Sequence, residues 1–231
     1  MIFTQLIKAN LETRILGRDI EYFVRVESTN REAMELLGEG AREGTVVVTD
    51  TQTAGRGRHN RVWFSGPGKG LTFSVILKPG LSGPATGVIS LMGAVAAAET
   101  IERLDLTPRV KWPNDLLLMD RKCGGILVEA RFQGNVMSSA IMGIGINVNE
   151  TDDDFPEDLR PGTISLLIAK ESPVQRELVL AWILNSLERW YDRLKSGDSG
   201  SIISAWKKRC DHLGKEVRFS RKGETRTGIF A

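Results

Sequence analysis

Four strand-like segments follow one another almost without interruption, and they constrain this chain more than any other feature: RVKW (109–112), LLLM (116–119), GGILVEARF (124–132) and VMSSAIMGIGINVN (136–149). The short turns Pro113-Asn114-Asp115, Asp120-Arg121-Lys122 (followed by Cys123) and Gln133-Gly134-Asn135 separate them. Links this short cannot carry a crossover, so the neighbours must pair antiparallel. That argues against a repeating βαβ dinucleotide fold. It leads to an α+β architecture, a mixed, mainly antiparallel sheet with helices on one face.

The rest of the chain fits around that sheet. IEYFVRVE (20–27), TVVVTD (45–50) and GLTFSVILK (70–78) carry the β-branched and aromatic content of further strands. Residues 3–16 are expected to form a short helix. Ser28 and Thr29 open another, running to Leu37, with Thr29-Asn30-Arg31-Glu32 as a capping box. Gly87 to Leu104 is alanine-rich and apolar nearly all round, as suits a helix packed on a sheet. Helical patterns recur at 163–170, 174–195 and 201–212, after an acidic loop at 151–162 expected to be solvated. GKEVRFSRKGETRTGIFA, at the end, reads as two strands around an Arg-Lys-Gly-Glu turn. The expected organisation is a main domain over 1–212 and, over 213–231, the beginning of a small β domain that is incomplete within this sequence.

Several function classes are excluded or disfavoured. The formal net charge of the 231 residues is only +2, so affinity for anions must come from local clustering rather than a general polyanion field. No apolar core with a cleavage site opens the chain, and the stretch 87–98 is short for a bilayer span, so no membrane partner is expected. Cys123 and Cys210 lie far apart without a CxxC pairing, which suits reduced thiols and a cytoplasmic location. Two histidines, His59 and His212, cannot build a multi-histidine metal site.

Four stretches can carry chemistry. TQTAGRGRHNRVWFS (51–65) sets Arg56, Arg58 and Arg61 beside Gly55 and Gly57, and ends on Trp63 and Phe64. Guanidinium groups stay charged and offer paired donors to phosphate or carboxylate oxygens, and an indole can stack on a purine. A solvated basic loop with Trp63 in the core is the structural alternative. KWPNDLLL (111–118) projects Asn114 and Asp115 from a turn, an amide and a carboxylate able to read a base edge or hold a magnesium ion; an ordinary Asn-Asp turn is the plainer account. RKCGGILVE (121–129) places Lys122 just before Gly124 and Gly125, where a group can approach the backbone closely. GIGINVN (143–149) alternates glycine with isoleucine, leaving one strand face bare for a flat ligand beside Asn147, or for close helix packing. GPGKG (66–70) lacks P-loop spacing and reads as a turn.

In this order, TQTAGRGRHNRVWFS, KWPNDLLL, KCGGILVE and GIGINVN resemble the biotin–protein ligase family, and Ser28-Thr29-Asn30 matches too. The resemblance runs from about residue 20 to 150 and more loosely onward. It implies a catalytic domain that makes biotinyl-5′-AMP from biotin and ATP with Mg2+, then passes biotin to a lysine of a carboxylase's biotin carrier domain. It implies that Ser28, Thr29 and Gln52, with Asn30 beside them, bind the ureido head of biotin. Gly55, Arg56, Gly57 and Arg58 would close over biotin and the α-phosphate, with Arg61 on the outer phosphates and Trp63 on adenine. Asn114 and Asn147 would hold the adenosine, Asp115 would serve magnesium or the incoming lysine, and Lys122 would bridge the biotin carboxylate and the α-phosphate. Gly125 and Gly143 would leave room for the ligand. The catalytic residues implied are Arg58, Lys122 and Asp115.

His59-Asn60 stands where many members have Arg-Gly, which bears on outer-phosphate binding. Members usually carry a whole SH3-like C-terminal domain, of which this chain shows the start. No DNA binding is expected, because fewer than 30 residues precede the Ser-Thr-Asn segment; a homodimer is expected from the resemblance. Two other readings compete, a lipoate–protein ligase of the same fold and a non-catalytic binder of single-stranded nucleic acid using the arginines and Trp63.

Overall fold

The computed structural model describes residues 1–64, 66–221 and 224–231, with the side chains of Asn60, Ser220, Arg221 and Glu224 set aside. In chain order it contains α1 (Thr4–Ala9), β1 (Ile20–Val26), α2 (Thr29–Gly38), β2 (Val46–Gln52), β3 (Leu71–Leu77), β4 (Leu81–Ser82) and α3 (Ala85–Glu102). There follow β5 (Arg109–Lys111), β6 (Asp115–Leu118), β7 (Arg121–Gln133), β8 (Val136–Ile146), α4 (Leu166–Lys170), α5 (Arg176–Lys195) and α6 (Ser199–Lys207). Strands β9 (Glu216–Arg221) and β10 (Glu224–Ile229) pair antiparallel at the end of the sequence; of the Arg-Lys-Gly-Glu turn expected there, Lys222 and Gly223 lie outside the described residues.

The main sheet has the order β1-β2-β3-β8-β7-β6-β5, with the short β4 beside β8. Among the described strands of this sheet β1 and β2 pair in parallel, as the intervening α2 crossover permits. All other pairs are antiparallel, as the tight turns dictate. The mixed, mainly antiparallel sheet expected from the sequence is therefore present.

Its two faces are unequal. Val46 and Val48, Val75 and Leu77, and Ala140 and Met142 join the large core beneath α3, α5 and α6. The residues between them, Val47, Ile76 and Ile141, join a small cluster with Ala33 of α2. Alternation along a strand sends successive side chains to opposite faces. So α2 covers the second face, a correction to helices on one face only. α2 is short and covers only part of that face. α3 matches a membrane span in length and apolarity, yet most of it is buried inside the fold.

Local expectations fail where a distant residue intervenes. The first helix stops at Ala9 instead of continuing to residue 16. Beyond it, the backbone N–H groups of Ile15 and Leu16 donate to Glu188 Oε2 at 2.9 and 2.8 Å, so a carboxylate on α5 takes the bonds a helix would have made. At α2 the cap is Ser28, without a side-chain bond, and the box on Thr29 does not form. The Thr29 N–H donates instead to Gln52 Oε1 at 2.8 Å. The acidic loop is not wholly solvated, since Phe155 is buried and Asp154 pairs with Lys69 at 2.6 Å. Phe230 anchors the terminal hairpin with ring centroids 6.2 Å from both Trp112 and Trp206.

Candidate functional site

The bare strand face foreseen in GIGINVN lies on the α2 side of the sheet. Ile144 and Ile146 point into the main core, so Gly143 and Gly145 face the other way. A Cβ at Gly143 would fall 2.2 Å from Asn30 Oδ1, and one at Gly145 2.5 Å from the Trp63 indole. Both positions therefore need glycine, because a polar group and an aromatic ring lie flat across the strand. They form the floor of a cavity of about 560 Å3, within the range of small-molecule sites.

One end of the cavity is polar and deeply buried. Ser28, Thr29 and Asn30 are at most 5 % exposed, yet all reach the cavity wall. The end of β2 brings Gln52 against them, its Oε1 held by the Thr29 N–H. Ser74 on β3 is fully buried and bonds Thr29 Oγ1 at 2.8 Å and Asn30 Oδ1 at 2.7 Å. Asn30 Nδ2 donates to Glu129 Oε2 at 2.7 Å.

The mouth is cationic. The loop after β2 closes on itself through Trp63 N–H to Gly55 O at 2.9 Å and Gly57 N–H to Arg61 O at 2.7 Å. That fold turns Arg56, Arg58, His59 and Arg61 to the cavity. Among the described residues none of the three arginines forms an ion pair. Gly55 is not on the cavity wall; a Cβ there would meet Trp63 O at 2.5 Å, so it serves the loop's closure. The left-handed residue of the loop is His59, at φ 55°. Trp63 lies over Gly145 with its Nε1 buried and without a partner among the described residues.

The far wall comes from β6 and β7. Lys122 Nζ is half-buried, 2.6 Å from Asp115 Oδ1 and 5.7 Å from the Trp63 ring centre. Asn114 is fixed by Nδ2 to Ile126 O at 2.8 Å. Asn147 gives its amide hydrogens to Ile164 O at 3.2 Å and Lys122 O at 3.4 Å, tying the loop before α4 to β7. The two glycines after Cys123 differ. Gly124 is packed, since a Cβ there would meet Ile146 Cδ1 at 2.7 Å and Gly145 O at 2.8 Å. At Gly125 the nearest atoms are 3.6 Å away, so that position keeps cavity space open.

The structure thus brings Ser28, Thr29, Asn30, Gln52, Arg56, Gly57, Arg58, Arg61, Trp63, Asn114, Asp115, Lys122, Gly125, Gly143 and Asn147 to one cavity. Sequence reasoning missed Ser74 and Glu129, which sit inside ordinary strand patterns. It also missed Phe155, which enters from the acidic loop. Alternation gave a usable signal for Ser74, whose partner Gly143 sits opposite it in the β3–β8 register.

Comparison with known proteins agrees with this geometry. Residues 22–147 match the biotin/lipoate A/B protein ligase family. The bifunctional ligase/repressor BirA of Bacillus spizizenii is 37 % identical over 92 % of this chain, and the chain spans 66 % of that relative's length. A biotin–(acetyl-CoA-carboxylase) ligase of Paracoccus denitrificans is 30 % identical, with 89 % of this chain and 87 % of its own length covered. A crystal structure of the biotin protein ligase from Aquifex aeolicus in complex with biotin and ATP superposes with a TM-score of 0.80 at 27 % identity, covering 91 % of this chain and 86 % of that one. A sheet of this topology, a cavity on its α2 face and sequence relatives matched along most of the chain lead to one assignment: the chain belongs to the biotin/lipoate A/B protein ligase family.

Proposed function

We propose that the chain is an ATP-dependent ligase that activates biotin as biotinyl-5′-AMP and transfers biotin to a lysine of a carboxylase's biotin carrier domain. One observation carries this reading: a single cavity joins a buried hydrogen-bonding end to Arg56, Arg58 and Arg61 at its mouth and Lys122 on its far wall. Activation brings a carboxylate against a triphosphate, two anions that repel. Fixed cations in a partly dry cavity offset that repulsion best where charge builds up in the transition state.

Ser28, Thr29 and Gln52 hold the ureido ring, and the carboxylate end of biotin then points towards Lys122. A carboxylate oxygen attacks the α-phosphorus as the bond to the bridging oxygen breaks and pyrophosphate leaves. Lys122 exchanges part of its pairing with Asp115 for the two reacting anions, and the loop arginines take up the phosphate charge. Closure of the loop keeps water from the mixed anhydride. The amine of the acceptor lysine then attacks the acyl carbon, AMP leaves, and Asp115 accepts the proton shed by the amine. Trp63 and the Asn114 turn flank the adenine, with Asn147 steadying the wall.

Asp115 is also where a magnesium ion would sit. Among the described residues no three His, Cys, Asp or Glu side chains gather into a metal site. A single carboxylate together with nucleotide phosphates is an ordinary setting for that ion. When bound it would shield phosphate charge. The reading includes a cytoplasmic location, in keeping with the free thiols of Cys123 and Cys210, and a homodimer, which sedimentation at micromolar concentration would check.

Exchange of labelled pyrophosphate into ATP tests the reading. The account expects exchange that depends on biotin and is not supported by lipoate. Exchange driven by lipoate alone would reassign the substrate, and a salt-dependent gel shift without any exchange would favour the nucleic-acid reading.

A further inference from the structure

The buried polar end of the cavity is backed by a chain of hydrogen bonds that begins outside it. Glu129, on the solvent-facing side of Asn30, accepts from Asn30 Nδ2 at 2.7 Å, and Leu127 O lies 3.4 Å from the same nitrogen. Both partners are acceptors, so they dictate the orientation of the Asn30 amide: NH2 towards β7, carbonyl towards β3. Asn30 Oδ1 can then only accept, and Ser74 Oγ, 2.7 Å away, must give it its single proton. With that proton spent, Ser74 Oγ is an acceptor for Thr29 Oγ1 at 2.8 Å. Thr29 in turn has its proton directed into the wall and its lone pairs left over. Because Gln52 Oε1 already accepts the Thr29 backbone N–H at 2.8 Å, its competing contact with the hydroxyl is the longer one at 3.2 Å.

Every link is buried or half-buried. Ser74 is fully enclosed, so water cannot reset the proton order at the middle of the chain. Hydrogen bonds in such surroundings polarise one another, and a chain of this kind has one preferred direction.

We propose that Glu129 acts as a positioning residue which, through Asn30 and Ser74, fixes Thr29 Oγ1 as a hydrogen-bond acceptor towards the cavity, so that this end selects a ligand group bearing an N–H donor. The proposal rests on the biotin reading for the identity of that group, a ureido nitrogen, but the direction of the relay rests on this chain's own contacts. Without Glu129 only the long 3.4 Å contact to Leu127 O holds the Asn30 amide, which can then turn over. Its NH2 would then face Ser74, the Ser74 proton would pass to Thr29, and the Thr29 proton would become available to the cavity. The pocket would keep its shape and lose its preference.

The test is calorimetric binding of two probes, biotin and its analogue with both ureido N–H groups replaced by CH2, to the wild type and to the variants Glu129→Ala and Glu129→Gln. The wild type should prefer biotin by a factor of a hundred or more, about 1.4 kcal/mol for each tenfold. Glu129→Ala should cut that preference at least tenfold while leaving the KM for ATP within about twofold. Glu129→Gln, whose amide oxygen can still accept from Asn30, should restore the preference to within about threefold. If Glu129→Ala keeps the wild-type preference, or weakens both probes equally, the relay is refuted while the biotin reading stands. If the wild type binds no biotin, the functional reading falls, and the ureido assignment with it.

Discussion

Lys122 and Asp115 face each other at 2.6 Å across the β6–β7 turn, and the proposed chemistry requires Lys122 to exchange this partner for two substrate anions. Lys111 also lines the cavity, but Lys122 is the ammonium set beside Asp115 and the Trp63 ring. Lys122→Ala should therefore lower biotin-dependent pyrophosphate exchange by roughly 10²–10³-fold, the scale seen when one charge-stabilising group is removed; near-normal exchange would refute the role. Arg58 belongs to the closing loop rather than to the floor. Arg58→Gly should let the adenylate escape, read as biotin appearing on lysines of bystander proteins, and full acceptor specificity in that variant would count against the assignment. Asp115 and Asn114 were legible because a Pro-Asn-Asp turn advertises itself. Glu129 was not, because a polar residue on an alternating strand looks solvent-facing until the element covering it is known; Ser74 was overlooked although alternation marked its face.

At the scale of elements, the site depends on how β8 alternates. Gly143 and Gly145 open the α2 face while Ile144 and Ile146 fill the core behind it. Gly145→Ala would drive a methyl into the Trp63 ring, at 2.5 Å from its nearest atom. The indole must move, so the KM for ATP should rise about tenfold or more while biotin binding changes little; unchanged KM for ATP would remove Trp63 from the nucleotide wall. The strands could be read from sequence because period-two patterns and three-residue turns leave few alternatives. The start of α2 at Ser28-Thr29 was legible too, but its capping box was not met, because Gln52, 23 residues away, takes the Thr29 N–H. The first helix was overextended for the same kind of reason. Glu188 on α5 captures the N–H groups of Ile15 and Leu16, and sequence windows do not see a partner more than 170 residues away.

For the molecule as a whole, the least comfortable group is Glu150, at the junction of β8 with the acidic loop. It is 2 % exposed, and its Oε2 has no hydrogen-bond partner. Burial pushes its carboxyl up to about 7. The neutral acid is thus the form that folding favours. Stability from this group is full below the ordinary carboxylate range and is lost as pH rises through that range towards 7. Over that interval the loss is about 3 kcal/mol at most, at 1.36 kcal/mol per unit. Glu150→Gln should therefore raise the unfolding free energy relative to the wild type at pH 8 and make little difference at pH 4; urea titrations at both values check it, and an equal effect at both would refute the buried-acid account. Sequence alone offered no sign of this residue, which stands in a run of loop acids that mostly are solvated.

The central claim is that a cationic loop and Lys122 neutralise two anionic reactants within one cavity on the α2 face of the sheet. A crystal structure of the protein with biotinyl-5′-AMP tests it most directly. The account predicts the ureido ring against Thr29, and Lys122 Nζ with at least one loop arginine within about 3 Å of the acyl-phosphate oxygens. An adenylate bound elsewhere, or bound here with the loop open and Lys122 still paired only to Asp115, would contradict it.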